Sequence, residues 1–225
     1  MMDNNYYAQN LNSQKLFKVY DTKIPRVKQY LDVEISFVRN NLTGSERVLE
    51  LGAGYGRVIK ELAGNCKSIV GIDISDESVS LGKEYLNDIS NAEIMTMDVH
   101  NLTFKEKFDV VLCLQNGLSS MKVTSSDLID KILGMVVSGG KVYFSTYSEK
   151  FWEYRLMWFK EQADKKLLGE IDLDKTKDGV IICKDGFKAI THTLKDLKMI
   201  GFLSGYEYQI QEVDDSSVFL IIHKK

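Results

Sequence analysis

The sequence predicts an α/β domain built on an open, mostly parallel sheet. Three observations carry this. Between Arg47 and Tyr147, short apolar runs alternate with patterns of helical period. The run "FDVVLCLQ" is apolar through its middle, as a strand buried on both faces should be. The repeated order strand–helix–strand needs crossover connections, which make a parallel sheet with helices on both sides.

Taken in order, the first segment is polar, with a Tyr6-Tyr7 pair, and reads as loose over residues 1–12. From Leu16 to Leu42 apolar residues recur at helical spacing, and Val27, Leu31, Ile35 and Val38 make one stripe. Pro25 suits a first helical turn, where its missing N–H costs nothing. "RVLELG" reads as strand one, "RVIKELAGN" as a helix and "SIVGIDI" as strand two. "SDESVSLGKEYLNDI" is a helix with Ser75 as N-cap and Ser78 in its first turn. "AEIMTMD" and "FDVVLCLQ" are strands three and four. "SSDLIDKILGMVV" reads as a helix, "SGG" as a turn and "KVYFSTY" as strand five. The pattern then changes. "SEKFWEYRLMWFKEQADKKLL" reads as a long helix, and "GEIDLDKTKDGVIICKDG" as two strands around a polar turn at Lys175–Gly179. "FKAITHTLKDLKMIGF" reads as a helix ending at Gly201, and the remainder as an antiparallel pair around "DDSS".

The expected organisation is a single domain over residues 1–225: an N-terminal helical cap (1–43), a ligand-binding core (44–147), a lid or insertion after the fifth strand (148–186), and a C-terminal helix with closing strands (187–225). The sheet has seven strands, the last antiparallel. A net charge of −3 gives no electrostatic footprint for nucleic acid. No apolar run approaches the roughly 18 residues of a membrane span. No basic-then-apolar leader opens the chain. Cys66, Cys113 and Cys183 are scattered and odd in number, which suits a reducing cytoplasm.

The first strand runs into Gly52-Ala53-Gly54-Tyr55-Gly56, just before a helix. Glycine permits positive φ and close approach of backbone to a ligand, and the helix start offers unpaired N–H groups. A dinucleotide loop requires G-x-G-x-x-G. Here the spacing is G-x-G-x-G, and Arg57 stands where the last glycine should be. Glu50 precedes the loop. A carboxylate there repels a pyrophosphate and favours a ligand carrying ammonium or sulfonium charge.

The stretch "LELGAGYGR" resembles the first motif of the class I S-adenosylmethionine-dependent methyltransferases, acidic residue included. The resemblance extends over about residues 47–147 and implies their three-layer Rossmann-like fold, S-adenosyl-L-methionine as cofactor and methyl transfer as activity. It implies that Glu50, Gly52, Ala53 and Gly54 surround the cofactor at the first strand. Asp73, with Ile74 beside it, ends the second strand, where an acid accepts hydrogen bonds from ribose hydroxyls; its alternative is a helix cap, for which Ser75 is better placed. Asp98 is implied to contact the adenine amino group with Met97 and Val99 flanking the ring; otherwise it is a solvated loop acid. Gln115 and Asn116 are implied to lie beside the methionine part and face the acceptor, or they satisfy loop backbone.

Methyl transfer is an in-line displacement on a carbon the cofactor has already activated, so proximity and desolvation are the protein's main tasks. A general base is needed only for a protonated acceptor. His100 is the catalytic candidate. His192 is placed in the late helix and His223 near the C-terminus. Tyr6, Tyr7, Tyr20 and Tyr147 reach the pocket only if the N-terminal segment folds over it. Cys113 reads as a small core residue, and no metal is expected. In "FWEYRLMWF", Phe151, Tyr154, Arg155 and Trp158 share a helical face. That face is core packing, or a lid whose aromatics contact a flat or cationic acceptor. No Asn/Asp-Pro-Pro-aromatic motif follows strand four, which reads "LQNG". The expected acceptor is therefore a small molecule, its atom (N, O or S) left open, and the protein a monomer or homodimer. Two rivals stand beside this: a non-catalytic S-adenosylmethionine-binding protein, and a nicotinamide oxidoreductase, which would need a glycine at Arg57.

Overall fold

A computed structural model describes Tyr6, residues 11–121 and residues 126–225. Residues 1–5 and 7–10 of the polar start, Tyr7 among them, therefore lie outside the described residues. The chain begins with α1 (Ser13–Tyr20) and α2 (Pro25–Arg39). Pro25 occupies the first turn of α2, so the single helical run expected over this region divides ahead of it.

The core then follows the alternation in the sequence: β1 (Arg47–Leu51), α3 (Arg57–Leu62), β2 (Ser68–Asp73), α4 (Asp76–Tyr85), β3 (Ala92–Thr96), β4 (Phe108–Cys113), a short α5 (Gly117–Ser120), α6 (Ser126–Gly134) and β5 (Val136–Tyr147). Ser75 caps α4 by accepting from the Ser78 N–H at 3.1 Å. Beyond β5 come α7 (Trp152–Asp164), the hairpin β6 (Val180–Ile182) and β7 (Lys188–Ile190), α8 (Leu194–Leu203), β8 (Glu207–Val213) and β9 (Ser217–His223).

Seven strands form one sheet in the order β3-β2-β1-β4-β5-β9-β8. All neighbours from β3 to β5 are parallel, and β9 runs antiparallel between β5 and β8. Alternate residues serve opposite faces, as strand geometry demands. Leu49 and Leu51 join Ile129 and Ile132 of α6 and Leu197 of α8. Val48 and Leu112 join Ile35 and Val38 of α2, Ile59 of α3 and Val79 of α4. These are the three layers. A third cluster joins α1 and α2 to α7 and the β6–β7 hairpin through Val19, Tyr30, Phe151, Trp158 and Ile181. Among the described residues no helix is long and apolar enough to cross a membrane.

Three local expectations need correction. "SGG" is not a turn before β5 but part of it: the β4–β5 register shifts between Phe108 and Val110, and Gly139 sits at φ +81°. A bulge thus absorbs what composition marks as a break. Residues 187–190 form β7 rather than the start of a helix. The helix starts at Leu194, where Thr193 and Asp196 form a reciprocal capping box, and His192 lies before it. It also passes Gly201, whose lack of a Cβ admits the Tyr208 ring, 2.6 Å from where that atom would sit. Of the two strands expected around Lys175–Gly179, the first is only a bridge, Ile171 to Cys183. The β6–β7 hairpin spans residue 187.

Candidate functional site

The C-terminal ends of β1, β2, β3 and β4 open into one cavity of about 470 Å³, roofed by α1 and α7. Every residue nominated from the sequence lines it: Glu50, Gly52, Ala53, Gly54, Asp73, Ile74, Met97, Asp98, Val99, His100, Gln115 and Asn116. Tyr20 and Tyr147 line it too. Tyr6 instead packs on Phe187, with ring centroids 4.8 Å apart.

The glycine loop takes the shape its composition allows. Gly52, Gly54 and Gly56 have φ of +70°, +57° and +85°. At Gly54 a Cβ would come 2.6 Å from Leu16 of α1, so the missing side chain lets that helix close over the loop. Asp73 fixes the loop from below. Its Oδ2 accepts from the Gly54 N–H at 2.8 Å, and its Oδ1 from the Ser75 N–H at 2.9 Å. A carboxylate has about four acceptor positions, so these two bonds leave capacity for hydroxyl donors. Burial pushes the Asp73 pKa up, against the backbone N–H groups of Ser75, Gly54 and Ile74.

Glu50 is 4% exposed and its Oε2 has no hydrogen-bond partner among the described residues. Burial raises its pKa to about 8, with Arg57 opposing and the Asp73 and Glu34 charges adding to the rise. Arg57 lines the same cavity, its guanidinium 4.6 Å from the Tyr20 ring centroid, and its Nε and Nη2 are buried without hydrogen-bond partners among the described residues. Beneath the β4 end, Glu34 of α2 accepts from Ser145 Oγ at 2.6 Å and from the Gln115 N–H at 3.3 Å. Burial raises its pKa to about 7. The Gln115 Nε2 is likewise buried and without a partner among the described residues. Each such group costs about 1–3 kcal/mol unless something compensates it. A carboxylate oxygen, guanidinium nitrogens and an amide lining one cavity match a ligand with an amino-acid end.

The remaining nominees differ in what they have to spare. Asn116 sits at φ +61° and is used structurally: its Nδ2 donates to the Ile190 carbonyl at 2.7 Å, and its Oδ1 accepts from Thr146 Oγ1 at 2.8 Å. Asp98 caps a short turn by accepting from the His100 N–H at 2.9 Å. His100 is exposed at the rim, and its Nε2 lies 3.2 Å from the Met121 carbonyl oxygen. Ile74 is 48% exposed at the mouth. Cys113 is fully buried, and its thiol pKa is pushed up by that burial.

Sequence reasoning missed Arg57 as a site residue, Glu34, Gln162 and Phe159, whereas Arg155 and Trp158, which also line the cavity, stood on the face read as core or lid. Signals existed for two. A cation in the first turn of α3 opposes the helix dipole, so Arg57 had to be there for another reason. Glu34 interrupts an apolar stripe between Leu31 and Val38, where a surface acid does not belong. In the shared face read from "FWEYRLMWF", Phe151, Arg155 and Trp158 are buried while Tyr154 is 39% exposed.

Comparison with known proteins agrees with this geometry. Residues 48–140 match the model of a methyltransferase domain. A ubiquinone biosynthesis O-methyltransferase of Coxiella burnetii is 24% identical over 125 residues, covering 54% of this chain and 53% of that protein. The chain thus spans about half the length of the curated relatives it matches. Among solved structures, the PH0226 protein of Pyrococcus horikoshii OT3 aligns over 100% of both chains with a TM-score of 0.65 at 15% identity. The N-methyltransferase NodS of Bradyrhizobium japonicum WM9, solved with S-adenosyl-L-homocysteine, aligns over 99% of both with a TM-score of 0.58 at 16% identity. At such identities these structures bear on the fold alone. The match over residues 48–140 and the fold shared with solved S-adenosylmethionine-dependent methyltransferases thus make this chain similar to that family, with no particular member singled out.

Proposed function

We propose that this protein binds S-adenosyl-L-methionine in the cavity above β1–β4 and transfers its methyl group to a small-molecule acceptor, at an N, O or S atom. The observation that carries the reading is the pair of buried groups at the glycine loop, the Glu50 carboxyl and the Arg57 guanidinium, whose Oε2, Nε and Nη2 find no hydrogen-bond partner among the described residues. Glu50 would hold the donor's ammonium and Arg57 its carboxylate. Asp73 and Ile74 would meet the ribose, and Asp98, between Met97 and Val99, the adenine. A pyrophosphate in the same place would face the Glu50 carboxylate, which disfavours a nicotinamide cofactor.

Bound there, the cofactor supplies a methyl group already activated by its sulfonium. The chain's own contribution is position and dryness. The left-handed glycines let the loop backbone approach, α1 closes over Gly54, and the aromatic wall from α7 excludes water from the β4 end. Asn116 braces that end against β5 and β7. His100 stays the candidate base for an acceptor that arrives protonated; with its Nε2 on the Met121 carbonyl, only Nδ1 is available.

The test is calorimetric titration with S-adenosylmethionine, S-adenosylhomocysteine and NAD, followed by a metabolite screen for S-adenosylhomocysteine release. The first two should bind and NAD should give no heat. NAD binding alone would overturn the reading. Cofactor binding with no turnover on any metabolite would support the non-catalytic alternative.

A further inference from the structure

Strand β4 ends in two consecutive left-handed residues, Gln115 at φ +54° and Asn116 at φ +61°. Asparagine visits that conformation readily, whereas glutamine does not. A residue of this kind stays there only when its surroundings hold it. For Gln115 the hold comes from α2. Its backbone N–H donates to Ser145 Oγ at 2.8 Å and to Glu34 Oε1 at 3.3 Å, and Ser145 Oγ donates to the same Glu34 oxygen at 2.6 Å. Glu34 and Ser145 are both fully buried. The Gln115 side chain lines the cavity. Its amide also lies near enough to Glu34 to favour the carboxylate, although Nε2 has no hydrogen-bond partner among the described residues. A buried acid of the helical cap thus holds both the backbone and the amide of a residue that faces the ligand cavity.

We infer that Glu34 is a positioning residue of this site: together with Ser145 it fixes the left-handed corner at Gln115 and so sets where the Gln115 amide meets the bound cofactor. This rests on the cofactor reading above and adds a part to the same site. An acid is an expensive choice for so buried a position. What it brings is strength, because hydrogen bonds to a carboxylate are shorter and stronger than those to a neutral acceptor. The groups around Glu34 decide when it carries charge. Tyr30 stands one turn earlier on α2, and Arg57, Glu50 and Cys113 act on the same carboxyl across the cavity floor, beside Ser145 and Gln115. Arg57 is the cation among them, and burial outweighs it, so the carboxyl titrates at about 7. Above that pH a carboxylate holds the corner; below it a neutral acid does, with weaker bonds. The charge therefore costs folding stability while it tightens the corner.

The experiment has two readouts on the full chain. The first follows the Gln115 backbone amide proton by NMR from pH 5 to pH 9, without ligand. Its shift should move with a midpoint near 7, stay level in Glu34→Gln, and still move in Glu50→Gln. The second is calorimetry with S-adenosylhomocysteine at pH 9, where Glu50 is mostly ionised. Glu34→Ala should bind about tenfold more weakly, the loss of a charge-assisted hydrogen bond. Glu34→Gln should recover most of that loss, because it keeps an acceptor at the Oε1 position. Gln115→Ala should weaken binding by a similar factor, and the two alanine changes together should weaken it no further, as expected of residues that act as one unit. Should Glu34→Ala fail to fold, Ser145→Ala takes its place. A Gln115 amide that does not titrate, or that still titrates in Glu34→Gln, overturns the inference. So do additive losses, or a Glu34→Ala chain with a lowered Tm and unchanged affinity. Failure of the wild type to bind S-adenosylhomocysteine overturns the cofactor reading instead, while the amide titration still reports whether Glu34 holds Gln115.

Discussion

Raising the pH from 6 to 7.5 should tighten cofactor binding, and Glu50 should set the amount. Its carboxyl has a pKa raised to about 8 by burial. It is therefore almost wholly protonated at pH 6, while the ammonium it is proposed to hold needs the carboxylate. With a pKa of about 8 the ionised fraction rises from roughly 1% at pH 6 to roughly 25% at pH 7.5, so the Kd should fall about twentyfold. Binding near pH 6 should release close to one proton. Calorimetry with S-adenosylhomocysteine, run in two buffers of different ionisation enthalpy, reads both quantities. Glu50→Gln should bind weakly, flatten the pH profile and abolish proton release. Glu34→Gln should move the profile to lower pH, because the Glu34 charge adds to the rise at Glu50. A Kd independent of pH in the wild type, or an unchanged slope in Glu50→Gln, would refute the pairing of Glu50 with the ammonium.

The same two carboxyls set a stability profile. Both titrate higher in the folded chain than at their ordinary value of 4.5, to about 8 for Glu50 and about 7 for Glu34. The native state thus keeps protons that the unfolded state releases, and their contribution to stability falls as pH rises from about 4.5 to about 8, then levels off. The Tm of Glu50→Gln should vary less with pH over that window than the wild type's. Asp73→Ala removes the acceptor from the Gly54 and Ser75 N–H groups. It should cost about 2–3 kcal/mol in urea unfolding and weaken S-adenosylhomocysteine binding about tenfold. Gly54→Ala forces a Cβ onto φ +57° and against Leu16. It should destabilise by about 1–3 kcal/mol and speed proteolysis in α1. Asn116→Ala cuts the ties to Ile190 and Thr146, so hydrogen exchange in β6–β7 should quicken while that in β1–β3 stays unchanged.

The parts legible in the sequence share one physical property: a local rule decided them. β1 to β4 are apolar runs bounded by polar turns, Ser75 is a cap at the position where a cap is needed, and Gly52, Gly54 and Gly56 take the left-handed conformations that glycine alone adopts freely. The misread parts were decided at longer range. β7 has three residues, and its partner β6 is all that separates it from a helical reading of "FKAITHTL". The "SGG" bulge depends on β5 keeping its pairing with β4 on both sides of Gly139. Arg155 is the clearest case. Helical spacing put it on one face with Phe151 and Trp158, but could not show what holds a charge there, because the hairpin that accepts its Nη1 bonds lies more than twenty residues further along the chain. The buried polar residues of the α7 wall were hidden for that reason, whereas the glycine loop, Asp73 and Asp98 lie at strand ends, where parallel-sheet topology places ligands.

A crystal structure of the S-adenosylhomocysteine complex tests the charge assignment at the glycine loop most directly. The expected result is an amino group within hydrogen-bond distance of Glu50 and a carboxylate on the Arg57 guanidinium, with the adenine beside Asp98. Density for the ligand outside the cavity, or with its amino-acid end turned away from both residues, would contradict it.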